Sequence, residues 1–149
     1  MGASATEKQR FIDELAVHIQ KYAPHYGIRV VSPILAQACK ESAFGTSELA
    51  MNAFNLFGLK FKDGRCPSAL PTPYYKEGSE QLPDGSYVSS AMKWFQFENF
   101  EKCVKGYFDF INISRYSNLK EVTDPYTYCQ LIHGDGYATS LRYASSLYN

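Results

Sequence analysis

A single long segment crowded with proline and glycine interrupts the helical periodicity of this chain, and this interruption most constrains the fold. Four of the seven prolines and four of the ten glycines fall between Gly58 and Gly85, which disfavours a continuous helix there. Asp84-Gly85, inside the segment, is a strong signal for a tight hairpin turn. The chain is therefore expected to form helices, then a small antiparallel sheet, then helices again.

Apolar residues at helical spacing predict the elements before the hairpin. A first helix is expected over about 7–23, after a capping-box pattern at 6–9. A second should begin with Ser32 as its N-cap and Pro33 in its first turn, and Gly45 should end it. One or two further helical turns are expected over 46–53.

The same signals predict the elements from the hairpin onward. Its strands are expected over 70–77 and 87–95, on either side of the Asp-Gly turn. Helices should then begin at Asn99 and at Asp124, because each can cap the helix that follows it. A last helix is expected over 139–148.

The length of 149 residues, 45% of them hydrophobic, fits one buried core. We predict a single domain over 1–149, of the α+β class but mainly α. A helical lobe (about 6–58 and 98–149) should carry the hairpin lobe (about 59–97).

The balance of charge disfavours several classes of partner. Fifteen basic and fifteen acidic side chains cancel, so no net field would attract the chain to nucleic acid or to an anionic membrane. No apolar run is long enough to span a bilayer, and charges within the first thirty residues argue against a secretion signal. We expect a monomer that binds no nucleic acid and does not insert into membranes.

The cysteines and histidines do not suggest a metal or a cofactor. Cys39, Cys66, Cys103 and Cys129 are far apart and form no C-x-x-C pair, so buried free thiols are expected. No zinc-peptidase, phosphate-loop or dinucleotide motif is present. We therefore predict no metal site and no cofactor.

Glu41 is the residue most suggestive of chemistry. It follows Ile34 by seven residues and Ala38 by three, on the apolar face of the second helix, so its carboxyl group should point to the interior or to a cleft wall. Such a carboxyl group suits a general acid. The alternative is a glutamate at a frayed helix end that turns into water.

Three segments closely resemble signature blocks of the glycoside hydrolase family 73 glucosaminidases. They are QACKESAFGTS at 37–47, NAFNLFGLK at 52–60 and GYAT at 136–139. The resemblance extends from about residue 10 to the C-terminus. It implies a lysozyme-like helical body and hairpin lobe flanking a substrate cleft, and an enzyme that cuts the glycan strands of peptidoglycan.

The resemblance also implies roles for individual residues. Glu41 corresponds to the catalytic acid, and Tyr137 to a tyrosine near the scissile bond. Asn55, Phe57 and Gly58 correspond to residues that line the cleft floor and position the substrate. Each also has a structural interpretation: Asn55 as a local cap, Phe57 as core, Gly58 as a turn residue and Tyr137 as an anchor of the last helix.

The chain departs from the family in the hairpin lobe. Many members carry threonine, one intervening residue and a glutamate there, whereas Thr72-Pro73 is followed by two tyrosines and the first acid is Glu77. The second carboxylate is thus open among Glu77, Glu80 and Asp84, and Glu77 is the favoured candidate.

Aromatic residues of the hairpin fit a sugar-binding lobe. They are Tyr74, Tyr75, Tyr87 and Trp94, although about half of them could be hairpin core. Strand alternation puts Tyr75 and Glu77 on one face and Tyr74 on the other. Tyr75 is the predicted sugar contact.

The predicted reaction is hydrolysis of the β-1,4 bond between N-acetylglucosamine and N-acetylmuramic acid. Nucleophilic help would come from the acetamido group of the substrate, which is slightly favoured, or from water activated by a second carboxylate. The alternatives are a lytic transglycosylase of similar fold and a non-catalytic glycan-binding module. Action on the wall, outside the cell or after phage lysis, is expected.

Overall fold

The computed structural model describes residues 3–135, whose helices surround one core and whose two strands form a hairpin. The helices are α1 (Ala5–Tyr22), α2 (Ser32–Ser42), α3 (Glu48–Ala53), α4 (Phe100–Ile111) and α5 (Pro125–Gly134). Short 3-10 helices cover Ala23–Tyr26 and Ser114–Leu119, and the strands are β1 (Tyr74–Gln81) and β2 (Tyr87–Trp94). The predicted order of helices, hairpin and helices is confirmed over this range, and the predicted helix over 139–148 lies outside it.

Helix α1 begins two residues earlier than predicted. Ser4 caps it by accepting a hydrogen bond from the backbone of Glu7, whose side chain accepts one from the backbone of Ser4. The capping box at 6–9 was therefore wrong, because S-x-x-E at 4–7 overlaps it. The glutamate of this box adds a negative charge at the positive end of the helix dipole.

The start of α2 also differs by one residue. Val31 is the N-cap, and its carbonyl oxygen accepts from the backbone N–H groups of Ile34 and Leu35. Ser32 is consequently inside the first turn, with Pro33, and is not the cap. The caps predicted at Asn99 and Asp124 are confirmed, because each side chain accepts from a backbone N–H of its helix.

The hairpin strands pair antiparallel from Tyr74 opposite Trp94 to Gln81 opposite Tyr87. The first strand begins at 74, not at 70, because Pro71 and Pro73 lack the N–H group that a ladder needs. Before the strand begins, the N–H of Leu70 donates to the carbonyl oxygen of Gln96 at 2.8 Å, and the side-chain amide of Gln96 donates to the carbonyl oxygen of Thr72 at 2.9 Å.

The core lies between α1, α2, α4 and α5. Its largest fully buried side chains include Leu15, Ile34, Phe57, Tyr107 and Tyr128. At Gly106 of α4, a methyl group in place of hydrogen would overlap the ring of Phe97, so the segment leaving the hairpin lies directly on this helix.

All four cysteines are free thiols, as predicted; three of them are buried as expected, whereas Cys39 is only half-buried. Burial raises the pKa of Cys39 to about 11 and that of Cys103 to about 12.

Candidate active site

Glu41 lies in the last turn of α2, next to the compact turn that follows this helix. Ser42, the next residue, is buried; its hydroxyl donates to the carbonyl oxygen of Ala38 at 2.5 Å and accepts from the N–H of Gly45 at 2.9 Å. Ser47 caps α3 by accepting from the N–H of Ala50. The polar groups of Ser42 and Ser47 thus hold a compact turn, and Glu41 is the exposed carboxylate at its start.

The carboxylate of Glu41 lies against the backbone of Gly58. A Cβ atom built on Gly58 would be 3.2 Å from Glu41 Oε2. Gly58 has a left-handed backbone with φ of 64°, a conformation that glycine adopts without steric cost. Glu41 is therefore not turned into the core; its carboxylate meets the loop of the second signature block at the surface.

Asn55 holds that loop in shape. Its side chain is 1% exposed; its amide donates to the carbonyl oxygens of Leu59 at 3.0 Å and Phe95 at 2.8 Å, and its oxygen accepts from the N–H of Leu59 at 3.0 Å. These bonds close the turn at 55–59 and join it to the end of β2. The local-cap interpretation of Asn55 thus describes its side chain, which would influence a substrate only through the loop.

Phe57 belongs to the core. Its ring is fully buried and lies 4.3 Å, centroid to centroid, from the ring of Tyr107. Gly58 is the next residue, so the packing of Phe57 fixes the position of the backbone beside the Glu41 carboxylate.

A buried chain of hydrogen-bonded side chains begins at Gln37, one helical turn before Glu41. The hydroxyl of Tyr107 donates to Gln37 Oε1 at 2.5 Å and is 2.6 Å from the hydroxyl of Tyr128. All three side chains are fully buried. Sequence patterns did not reveal this chain: the tyrosines belong to apolar stripes, and nothing local indicates that their hydroxyls meet. The one available signal was the position of Gln37, four residues before Glu41 on the same helix.

Tyr74 attaches the base of the hairpin to α3. Its hydroxyl donates to Glu48 Oε2 at 3.0 Å and accepts from Asn52 Nδ2 at 3.2 Å. Tyr75, on the other face, is 62% exposed, and Lys93 Nζ lies 6.0 Å from its ring centroid. Tyr74 is therefore occupied in joining the lobes, whereas Tyr75 is accessible.

The candidate second carboxylates stand at different places on the hairpin. Glu77 is exposed in β1, opposite Ala91 and on the same face as Tyr75. Asp84 accepts from the backbone and hydroxyl groups of Ser86 at 2.9 and 2.6 Å, which lower its pKa, so it holds the turn. Glu80 pairs with Val88 through the backbone ladder. Tyr137 and the G-Y-A-T block lie outside the described residues.

Within residues 3–135, no group of three His, Cys, Asp or Glu side chains has the arrangement of a metal site. No helix in that range is both long and apolar enough to cross a membrane.

Solved structures share this fold. The catalytic domain of the autolysin Auto from Listeria monocytogenes superposes with a TM-score of 0.76 at 19% identity, covering 99% of this chain and 84% of that one. A peptidoglycan hydrolase mutant from Sphingomonas sp. A1 gives 0.77 at 23% identity, covering 93% and 89%. A C-terminally truncated glycoside hydrolase domain of FlgJ from Salmonella typhimurium gives 0.71 at 20% identity, covering 95% and 93%. The fold is therefore of the lysozyme-like class.

The family is shown by the sequence itself. The glucosaminidase family model, described as mannosyl-glycoprotein endo-beta-N-acetylglucosaminidase, matches residues 16–149, and the chain therefore belongs to this family of glycoside hydrolases. The exo-glucosaminidase LytG of Bacillus subtilis (strain 168) is 48% identical over 54 residues, which are 36% of this chain and 19% of LytG. The chain thus spans about one fifth of the length of that relative.

Proposed function

We propose that this chain hydrolyses the glycan strands of bacterial peptidoglycan, at the β-1,4 bond between N-acetylglucosamine and N-acetylmuramic acid. Membership of the glucosaminidase family supports a glycosidase, and solved structures of similar fold are described as an autolysin and a peptidoglycan hydrolase. The substrate would be wall material outside the cytoplasmic membrane, reached by secretion or by phage lysis, and the chain would act as a monomer.

The proposal assigns Glu41 as the general acid. The observation that carries it is an exposed carboxylate whose Oε2 atom lies against the glycine of the second signature block, 3.2 Å from where a side chain would begin. Glycoside hydrolysis needs a carboxyl group that can reach the leaving oxygen. Gly58 keeps the space beside this carboxylate clear of any side chain of its own.

We propose that the acetamido group of the substrate is the nucleophile, on the side of the scissile bond opposite Glu41. Tyr137 would orient that group. A water-activating base would have to lie roughly 6.5 to 9.5 Å from the acid. Asp84 is held in the hairpin turn by Ser86, and Glu77 is on the face opposite Tyr74, which bonds to the helical body. Inversion through Glu77 is the competing mechanism.

The first test is Glu41→Gln, which keeps the shape of the side chain and removes its acid. Hydrolysis of purified cell wall should fall by at least about 10²-fold, the low end of what general acid catalysis supplies. Glu14→Gln, which alters an exposed carboxylate on α1, is the matched control and should keep full activity. A folded Glu41→Gln protein with near-normal turnover would refute the assignment.

The chemistry of the released ends distinguishes the three candidate functions. A glucosaminidase releases reducing N-acetylglucosamine ends, a lytic transglycosylase leaves anhydro-muramic ends, and a non-catalytic module releases nothing. Mass spectrometry of wall digested with the unmodified chain should show only the first.

The configuration of the new reducing end separates the two mechanisms. Acetamido participation retains the β-configuration, so Glu77→Gln should keep activity within about tenfold and Tyr137→Phe should lose more. NMR spectra recorded before mutarotation should then show the β-anomer first. An initial α-anomer would exclude acetamido participation and would favour a carboxylate base.

A further inference from the structure

The hydroxyl group of Tyr107 connects helices that are far apart in sequence. It donates to Gln37 Oε1 of α2, at 2.5 Å. Because its single proton is used there, the 2.6 Å contact with Tyr128 of α5 must be donated by Tyr128. The result is a directed chain from α5 through α4 to α2, buried completely at all three residues.

Burying three polar side chains contributes little net stability compared with an apolar core, but a satisfied buried network fixes one geometry. Removing a single member leaves its neighbours with buried, unpaired groups. A network of this kind therefore stabilises the relative position of α2, α4 and α5 more than it stabilises the fold as a whole.

Tyr107 contacts both the helix that carries Glu41 and the loop that lies beside its carboxylate. Gln37 is one helical turn before Glu41, so it lies on the same side of α2. Phe57, whose ring packs 4.3 Å from that of Tyr107, directly precedes Gly58. The tyrosine hydroxyl thus sets the helix that carries the acid, and the tyrosine ring sets the loop against which the acid lies.

We propose that Tyr107 is a positioning residue, which acts through Gln37 and Phe57 to hold the Glu41 carboxylate in its place beside Gly58. This inference depends on the proposed function, in which Glu41 is the acid. Tyr107 lies outside all three signature blocks, and it joins the first to the second. Through Tyr128 it also reaches α5, the helix after which the third block follows.

The test is Tyr107→Phe, which keeps the ring on Phe57 and removes the hydroxyl. On soluble glycan-strand fragments, kcat should fall by about tenfold or more with KM changed less than about twofold, because a small misplacement of a reacting group affects chemistry more than binding. Tyr26→Phe is the matched control. It removes a tyrosine hydrogen bond to α4, from Tyr26 to Asp109 at 2.8 Å, and it should lower stability while kcat stays unchanged.

A double-mutant cycle checks that the effect passes through Gln37. Gln37→Leu should lower kcat by a similar factor. The double variant Gln37→Leu, Tyr107→Phe should lose no more than the worse single variant, since both substitutions remove the hydrogen bond between Gln37 and Tyr107. If Tyr107→Phe fails to fold, Gln37→Leu measured against Tyr26→Phe gives the same comparison.

Different results identify which claim fails. A folded Tyr107→Phe protein with normal kcat, or a loss confined to KM, overturns the positioning role while an inactive Glu41→Gln protein still supports the proposed function. Equal losses of kcat in Tyr107→Phe and Tyr26→Phe also overturn it. Full activity of Glu41→Gln overturns the acid assignment and this inference together.

Discussion

Gly58 is required by two independent features of its surroundings. Its backbone has a φ of 64°, and a Cβ atom there would be 3.2 Å from Glu41 Oε2, closer than an ordinary contact. The first feature concerns the stability of the loop, and the second concerns the position of the Glu41 carboxylate, the proposed acid. Gly64 allows the two features to be tested separately. It shares the left-handed backbone, with a φ of 80°, but a Cβ atom there would meet nothing within 4 Å.

We expect Gly58→Ala and Gly64→Ala to lower the free energy of unfolding by comparable amounts, about 1–2 kcal/mol for a left-handed alanine. Only Gly58→Ala should also lower wall hydrolysis, by about tenfold or more, because its methyl group displaces the carboxylate. Urea unfolding and turnover measured on both variants check this. Equal turnover in the two variants would show that the contact with Glu41 has no catalytic consequence.

Residue-level patterns identified the candidate residues of the site but not the structural part that each plays. The signature blocks indicated Glu41, Asn55, Phe57 and Gly58, but not how they divide the work: the side chains of Asn55 and Phe57 are buried and shape the loop. That division depends on bonds such as Asn55 to Phe95, which join residues 40 positions apart. No local pattern contains such information.

At the scale of elements, a polar cluster joins α1 to α4. Glu101 accepts hydrogen bonds from Lys21 Nζ at 2.8 Å and from the hydroxyl of Tyr22 at 2.7 Å. The hydrogen bond from Lys21, followed by that from Tyr22, lowers the pKa of Glu101 from 4.5 to about 2. The folded protein therefore favours the ionised carboxylate.

Because the pKa of Glu101 is lower in the folded state, its contribution to stability is complete above pH 4.5 and is lost as the pH falls toward about 2. The stability of Glu101→Gln should thus lie below that of the unmodified protein at neutral pH, and the difference should shrink through this range. Urea unfolding at a series of pH values measures it, with the exposed carboxylate variant Glu98→Gln as the control. A difference that is constant with pH would contradict the linkage.

At the scale of the whole molecule, sequence patterns predicted the order of elements over the described residues and two of the four helix caps, those at Asn99 and Asp124. They succeeded where the deciding contacts are local, as at Asn99, Asp124 and the Asp-Gly turn. They failed where two local signals compete, as at the start of α1, or where distant residues meet, as at the Gln37, Tyr107 and Tyr128 chain. The hydrogen bonds that join Tyr74 of the hairpin to α3 were also missed, because they too connect residues that are distant in sequence.

The packing of the Phe97 ring against Gly106 restricts how members of the family can be recombined. A hairpin transplanted from a relative would arrive with its own residue at position 97, and the host helix would meet it with whatever stands at 106. Since a methyl group at 106 would overlap the Phe97 ring, these two positions must be exchanged as a pair. A chimera with a crossover between positions 97 and 106 takes the two residues from different parents, so they need not fit each other. A crossover placed after α4 keeps both residues from one parent.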